Sequence, residues 1–220
     1  MQSVTRRRFF QQSAAALGWR VGYASYSFRS VSVYEALEKT AATGLPYLEL
    51  FAWQKLSPDH PDAQPTAGLS ATLQKDWKKK AADLGVKIIG IYSKLENPDS
   101  AKAMFEFAAM QSRSERMGFC CDTGHWRRSG LDPVEMLQKI VPRVKTFHLK
   151  DLDQFGVPRA KDVVWGQGAG RIAWILAEIE RLDIQRPYFS IEWERDPNES
   201  IQTHAKSVAF LEQIACTYRM

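Results

Sequence analysis

The sequence predicts an α/β fold in which short parallel strands alternate with outer helices. Three observations carry that reading. From Val21 onward, apolar strand-like runs and helix-like runs take turns along the chain, the pattern of repeated strand–helix crossovers. The strand-like runs are rich in aromatic and β-branched residues and bounded by Gly, Pro or charge. Three of them end near a group that binds a metal or moves a proton: Asp122, His148 and Glu192. Sites in parallel α/β folds form at the carboxyl ends of the strands, so pattern and chemistry agree.

The expected strands are 21–28 (VGYASYSF), 46–52 (PYLELFA), 86–92 (VKIIGIY), 117–122 (MGFCCD), 144–149 (VKTFHL) and 187–193 (PYFSIEW). The expected helices are 32–43, 69–84, 99–112, 132–141, 171–183 and 198–217. Helix 69–84 stops at Asp83-Leu84-Gly85, with glycine where a left-handed cap belongs. Helix 132–141 starts on Asp132-Pro133, an N-cap followed by proline at the first helical position. Helix 198–217 lays Ile201, Ala205, Val208, Phe210, Leu211 and Ile214 along one broad apolar face. Residues 53–68, with Pro58, Pro61 and Pro65, read as a surface loop over the strand ends. Gly166-Gln167-Gly168-Ala169-Gly170 opens helix 171–183, where free N–H groups are suited to cradle a phosphate. Tight strand-to-helix packing explains the same glycines.

At 220 residues, 45% hydrophobic and 25% charged, the composition is that of an ordinary globular chain. No apolar run approaches the ~20 residues that span a bilayer, so no membrane partner is expected. The net charge of +5 gathers at Arg6-Arg7-Arg8, Lys78-Lys79-Lys80 and Arg127-Arg128. Solvated helix faces and a targeting signal account for these clusters, and no nucleic-acid partner is expected. Cys120, Cys121 and Cys216 lack metal-finger spacing and read as buried free thiols.

Thr5-Arg6-Arg7-Arg8-Phe9-Phe10, followed by Ser13-Ala14-Ala15-Ala16-Leu17, resembles a shortened twin-arginine export signal. This divides the chain into a leader over 1–20 and a folded domain over 21–220. A disordered basic tail is the alternative for 1–20. The leader implies a periplasmic or exported protein, and the tail a cytoplasmic one.

Taken together, VGYASYSFR, YLELF with VKIIGIY, GFCCDTGHWRRSGLDP, TFHLKD, VVWGQGAGRI and YFSIEWE resemble the xylose-isomerase-like sugar phosphate isomerase/epimerase family, across nearly all of 21–210. The resemblance implies a TIM-barrel-like (β/α) domain with one divalent metal at the strand ends. It implies Asp122 and His148 as metal ligands, Glu192 as both ligand and acid/base, and His125 as a contact to substrate oxygens. Such barrels have eight strands, whereas six are expected here. The chain runs from helix 99–112 straight to Met117, as if two central strand–helix pairs were missing. The expected fold is therefore an incomplete barrel of about six parallel strands with outer helices, lacking the segment that carries the family's fourth metal ligand. Exposed strand edges invite pairing, and a homodimer is one way to cover them.

Isomerising a sugar removes a proton from a carbon beside a carbonyl. A divalent cation on the carbonyl and neighbouring hydroxyl stabilises the enediolate, and a carboxylate shuttles the proton. Two carboxylates and one imidazole favour Mn, Mg or Co, with Zn also suited. The expected substrate is a small sugar or sugar phosphate. Glu49, at the end of its strand, is expected to bond substrate or to brace Arg29. Lys150 and Asp151 are expected to touch substrate or to pair with each other, and Trp165 to line the pocket. Trp53, Trp126 and Trp193 suit stacking on sugar faces or core packing. Because Trp193 separates Glu192 from Glu194, one of those two carboxylates is expected to face outward. Two other readings compete with the isomerase: a catalytically impaired sugar-binding or vestigial barrel, and an abasic-site endonuclease-like barrel. The second needs many histidine ligands for three zinc ions, and the chain has four histidines.

Overall fold

The computed structural model describes residues 12–66, 68–92, 119–141, 144–196 and 201–218. The chain divides into two compact units: Gly22–Gly118, and Met1–Val21 together with Phe119–Met220. The described chain opens on helix α1, Gln12–Ala16, and strand β1, Arg20–Ala24, which crosses from one unit to the other. The twin-arginine-like stretch 5–10, helix candidate 99–112 and the start of strand candidate 117–122 lie outside the described residues.

In the Gly22–Gly118 unit, β1 leads through a 3-10 turn, Ser25–Phe28, to helix α2, Val33–Thr43. The first strand is thus shorter than expected, because the backbone coils at Ser25, whose hydroxyl accepts the Phe51 N–H at 3.0 Å. A capping box fixes the start of α2: Ser32 Oγ accepts from Glu35 N, and Glu35 Oε2 accepts from Ser32 N at 2.8 Å. Gly44, at φ 79°, ends it in the left-handed conformation. Strand β2 (Tyr47–Phe51), helix α3 (Ala71–Asp83) and strand β3 (Lys87–Tyr92) follow. The three strands are parallel in the order β3-β2-β1. Leu48 and Leu50 of β2 and Val33, Ala36 and Leu37 of α2 are buried. The 53–68 loop is more than a surface cover, since Leu56 is fully buried and Gln54 Nε2 donates to the carbonyls of Phe28 and Val31.

The other unit holds β4 (Phe119–Asp122), α4 (Thr123–Arg128), α5 (Pro133–Ile140), β5 (Val144–Leu149), β6 (Asp151–Leu152), β7 (Asp162–Val163), α6 (Ile172–Arg181), β8 (Tyr188–Ile191) and α7 (Ile201–Thr217). Here β8, β5 and β4 lie side by side and parallel. Six parallel strands are thus present among the described residues, three to each unit, with helices between them. This is the α/β, TIM-barrel-like fold with a reduced strand number. The short antiparallel pair β6–β7 was not expected; it is two residues long, too short for an alternation to register. Phe147 and Phe189 face each other across β5 and β8, ring centres 5.4 Å apart, in a core with Ile175, Leu176, Ile179 and Leu211.

Helix α7 departs from its expected apolar face. Its buried residues are His204, Ser207, Leu211, Glu212 and Ala215, while Ile201 is 38% exposed. Ser207 and Glu212 are buried there with backbone partners. Ser207 Oγ accepts the Trp165 N–H, and Glu212 Oε2 accepts the N–H groups of Ser13 and Ala14. That carboxylate caps α1, which packs on α7. Trp19 is buried, and its indole N–H donates to Glu180 at 2.6 Å. Residues 12–20, read from sequence as the end of a leader or a tail, carry these contacts. No helix among the described residues is long and apolar enough to cross a membrane. The cysteines are free, as expected, but only Cys121 is buried, and Cys216 is exposed.

Candidate active site

The register of β4, β5 and β8 brings the site together. Asp122 pairs with His148 across β4 and β5, and His148 pairs with Ser190 across β5 and β8, two residues before Glu192. One atom each from Asp122, His148 and Glu192 lies within 4.8 Å of the others. His148 Nδ1 stands 3.0 Å from Glu192 Oε2 and 3.7 Å from Asp122 Oδ2. His148 and Glu192 are buried, and Asp122 is only part-exposed.

Asp122 has two tasks, one for each oxygen. Oδ1 accepts the His125 N–H at 2.8 Å and caps α4. Oδ2 is thereby turned toward His148 and Lys150. The turn chemistry of Asp122-Thr123-Gly124 and its functional reading are therefore compatible. Thr123 Oγ1 accepts the Lys150 N–H at 2.9 Å, fixing the end of β5 against α4. Gly124 leaves the space that the lysine stem fills: a Cβ there would meet Lys150 Cδ at 2.6 Å.

Lys150 was expected at the rim, touching substrate or pairing with Asp151. Instead its side chain is fully buried at the centre of the carboxylates. Nζ lies 2.9 Å from Asp122 Oδ2, 2.6 Å from Glu192 Oε2 and 2.6 Å from Glu194 Oε1. Burial alone would lower the pKa of this ammonium, but Asp122, Glu192 and Glu194 more than reverse that and hold it above the ordinary lysine range. Burial would likewise raise Asp122, yet His148, Lys150 and His125 hold its carboxyl well below the usual carboxylate range. Glu194 is also held low, against its burial, by Lys150 and Arg128. Neither glutamate faces outward: both Glu192 and Glu194 reach Lys150, as two residues flanking Trp193 do when the chain stays extended, since positions two apart share a face. Arg128 holds the second oxygen of Glu194. The signal for Lys150 was present, since residues two apart on a strand share a face, which aligns it with His148.

His125 is exposed, its Nε2 3.6 Å from Asp122 Oδ2 and 3.8 Å from Glu194 Oε1. Trp165 is buried and donates its indole N–H to the Leu149 carbonyl at 2.9 Å, so it belongs to the core and not to a pocket lining. Asp151 accepts the N–H groups of Gly166, Gly168 and Gly170 at 2.8, 3.0 and 2.6 Å. The glycine-rich turn therefore cradles an anion, but the anion is the chain's own carboxylate, and the phosphate expectation for that turn is overturned. Glu49 belongs to the Gly22–Gly118 unit, buried on β2, where a Cβ on Gly90 would lie 3.6 Å from its Oε1. Trp53 packs edge-on against Phe51 and Tyr92 in that unit, and Trp193 lies beside His204 in the other.

A family model described as xylose isomerase-like TIM barrel matches residues 97–214. The chain belongs to that family. Among solved structures, an uncharacterised protein from Parabacteroides distasonis ATCC 8503 is 26% identical with a TM-score of 0.60, the match covering 89% of this chain and 99% of that one. A sugar phosphate isomerase/epimerase from the same organism is 16% identical with a TM-score of 0.54, over 89% and 94% of the two chains. The probable 3-DHS dehydratase AsbF from Bacillus anthracis is 13% identical with a TM-score of 0.55, over 92% and 100%. No curated protein matches the chain. The xylose isomerase-like fold family, with sugar isomerases and epimerases among its structural neighbours, is thus the setting for the site.

The donor set fits a divalent cation in type: two carboxylate oxygens and an imidazole nitrogen converge from three adjacent strands. Glu192 Oε2 is buried and already faces two nitrogens, His148 Nδ1 at 3.0 Å and the Lys150 ammonium at 2.6 Å. A carboxylate oxygen in that condition is suited to a cation.

Proposed function

We propose that the protein is a metal-dependent isomerase or epimerase of a small sugar or sugar phosphate, moving a proton beside a carbonyl. The observation that supports it is the convergence of Asp122 Oδ2, His148 Nδ1 and Glu192 Oε2 at the carboxyl side of parallel strands. These three would hold one Mn, Mg, Co or Zn ion. When bound, such an ion would polarise the carbonyl and stabilise the charge left by proton loss. Glu192, a buried carboxylate facing His148, would take the proton and return it. His125, exposed beside Asp122 and Glu194, would orient a substrate hydroxyl. Asp122 keeps Oδ2 aimed inward because Oδ1 is tied to the helix it caps.

The test is turnover of a panel of ketoses and aldoses, free and phosphorylated, with each metal. Glu192→Gln is expected to lower kcat by roughly 100-fold or more with little change in KM, the loss typical of a general acid–base group. Full activity in that variant would exclude the assignment. A second reading, a sugar-binding barrel without turnover, is favoured by one observation: Lys150 already neutralises the carboxylates. Sugar affinity without metal-dependent turnover would select it. Export through the twin-arginine route rests on residues 5–10 alone, and cell fractionation with and without that transporter tests it.

A further inference from the structure

The lysine in the cage has a consequence for how any metal arrives. Asp122 Oδ2 and Glu192 Oε2 are the oxygens offered to a cation, and both are in contact with Lys150 Nζ, at 2.9 and 2.6 Å. A divalent ion binds such oxygens at roughly 2.0–2.2 Å, which would put two cations side by side on shared ligands. We propose that Lys150 is a tethered counter-cation for this site, and that a metal enters by displacing its ammonium. The proposal rests on the reading of Asp122, His148 and Glu192 as metal ligands.

The surroundings supply the means of exchange. Glu194 Oε1 is a third partner of Nζ at 2.6 Å and is outside the ligand set. Its carboxylate is the most exposed of the three, at 23% against 18% for Asp122 and 6% for Glu192. Arg128 pins the other oxygen of Glu194, so that carboxylate stays in place. An ammonium that retreats toward Glu194 keeps one ion pair while releasing two. The backbone need not follow, because Thr123 holds the Lys150 N–H. Without a metal, the ammonium keeps three carboxylates from repelling one another in a dry site, where an unpaired charge is costly. The site is thus stable in both states, and Lys150 sets the affinity.

The experiment is calorimetric titration of the wild type, Lys150→Met and His148→Ala with Zn²⁺ and Co²⁺. Lys150→Met is expected to bind about tenfold more tightly than the wild type, or better, and His148→Ala to lose binding. If the wild type and Lys150→Met bind equally and His148→Ala does not, the metal site stands and the counter-cation role falls. If neither binds, the metal reading falls and the proposal with it. Should Lys150→Met not fold, lysine acetylation of the wild type read by mass spectrometry decides instead. Labelling of Lys150 is expected to rise when Zn²⁺ is bound, and unchanged protection with Zn²⁺ bound would overturn the proposal.

Discussion

Two acidic sites meet at the adjacent residues Lys150 and Asp151 and are neutralised in different ways. Asp151 is held by backbone: the N–H groups of Gly166, Gly168 and Gly170, with Leu152 N added at 3.1 Å. Asp122 and Glu192 are held by one ammonium and face an imidazole. Backbone dipoles are part of the fold and cannot leave, so Asp151 is a fixed clamp between β6 and the turn before α6. An ammonium on a four-carbon stem can leave, so the Asp122–Glu192 site can trade one cation for another. Burial raises the pKa of Asp151 despite its N–H partners, whereas full charges hold Asp122 low despite burial. Dipoles solvate a carboxylate less strongly than a neighbouring charge does.

The comparison is sharpest in Lys150→Met. Without metal, this variant leaves three carboxylates facing each other and is expected to lose roughly 3–5 kcal/mol of stability in chemical denaturation. Added Zn²⁺ should restore most of that loss. Asp151→Ala is expected to cost about 3 kcal/mol through stranded N–H groups, and Zn²⁺ should restore none of it. Equal recovery in the two variants would erase the distinction.

A pH experiment extends the contrast to Asp162. Its carboxyl is pushed up to about 6 by burial, against the Glu194 N–H, Lys150 and Arg128. A carboxyl raised from 3.8 to about 6 stays protonated in the folded state while the unfolded chain ionises. Stability from this group therefore falls as pH rises from about 4 to about 6 and is level above that. Asp162→Asn should remove the slope. The stability difference between wild type and variant is expected to change by roughly 3 kcal/mol between pH 4 and 7, and a constant difference would contradict the shift. The smallest effect is expected from Gly124→Ala, whose Cβ would crowd the Lys150 stem. It should cost about 1–2 kcal/mol as an overpacked site and, by loosening Lys150, tighten Zn²⁺ binding.

Where neighbouring residues alone decide the structure, the sequence was legible. Strand 144–149 forms as expected, and 46–52 loses one residue at each end. Asp132-Pro133 opens α5 as its cap chemistry requires. The ends of β4 and β5 deliver Asp122 and His148 to one place, and Glu192 joins them just past β8. What failed depends on partners distant in the chain. The buried face of α7 is polar because α1 and Trp165 supply donors from far upstream. The glycine-rich turn looks open to phosphate until Asp151 is found inside it, and Lys150 looks like a rim residue until three carboxylates from two strand ends surround it. Local pattern reports a residue's preference for water; it does not report who answers its charge.

Crystals grown with Co²⁺ and measured at the cobalt absorption edge would test the central assignment most directly. One anomalous peak within roughly 2.0–2.3 Å of Asp122 Oδ2, the His148 ring and Glu192 Oε2, with Lys150 Nζ withdrawn toward Glu194, is the result expected. Cobalt bound elsewhere, or no cobalt with Lys150 still seated among the carboxylates, would contradict it.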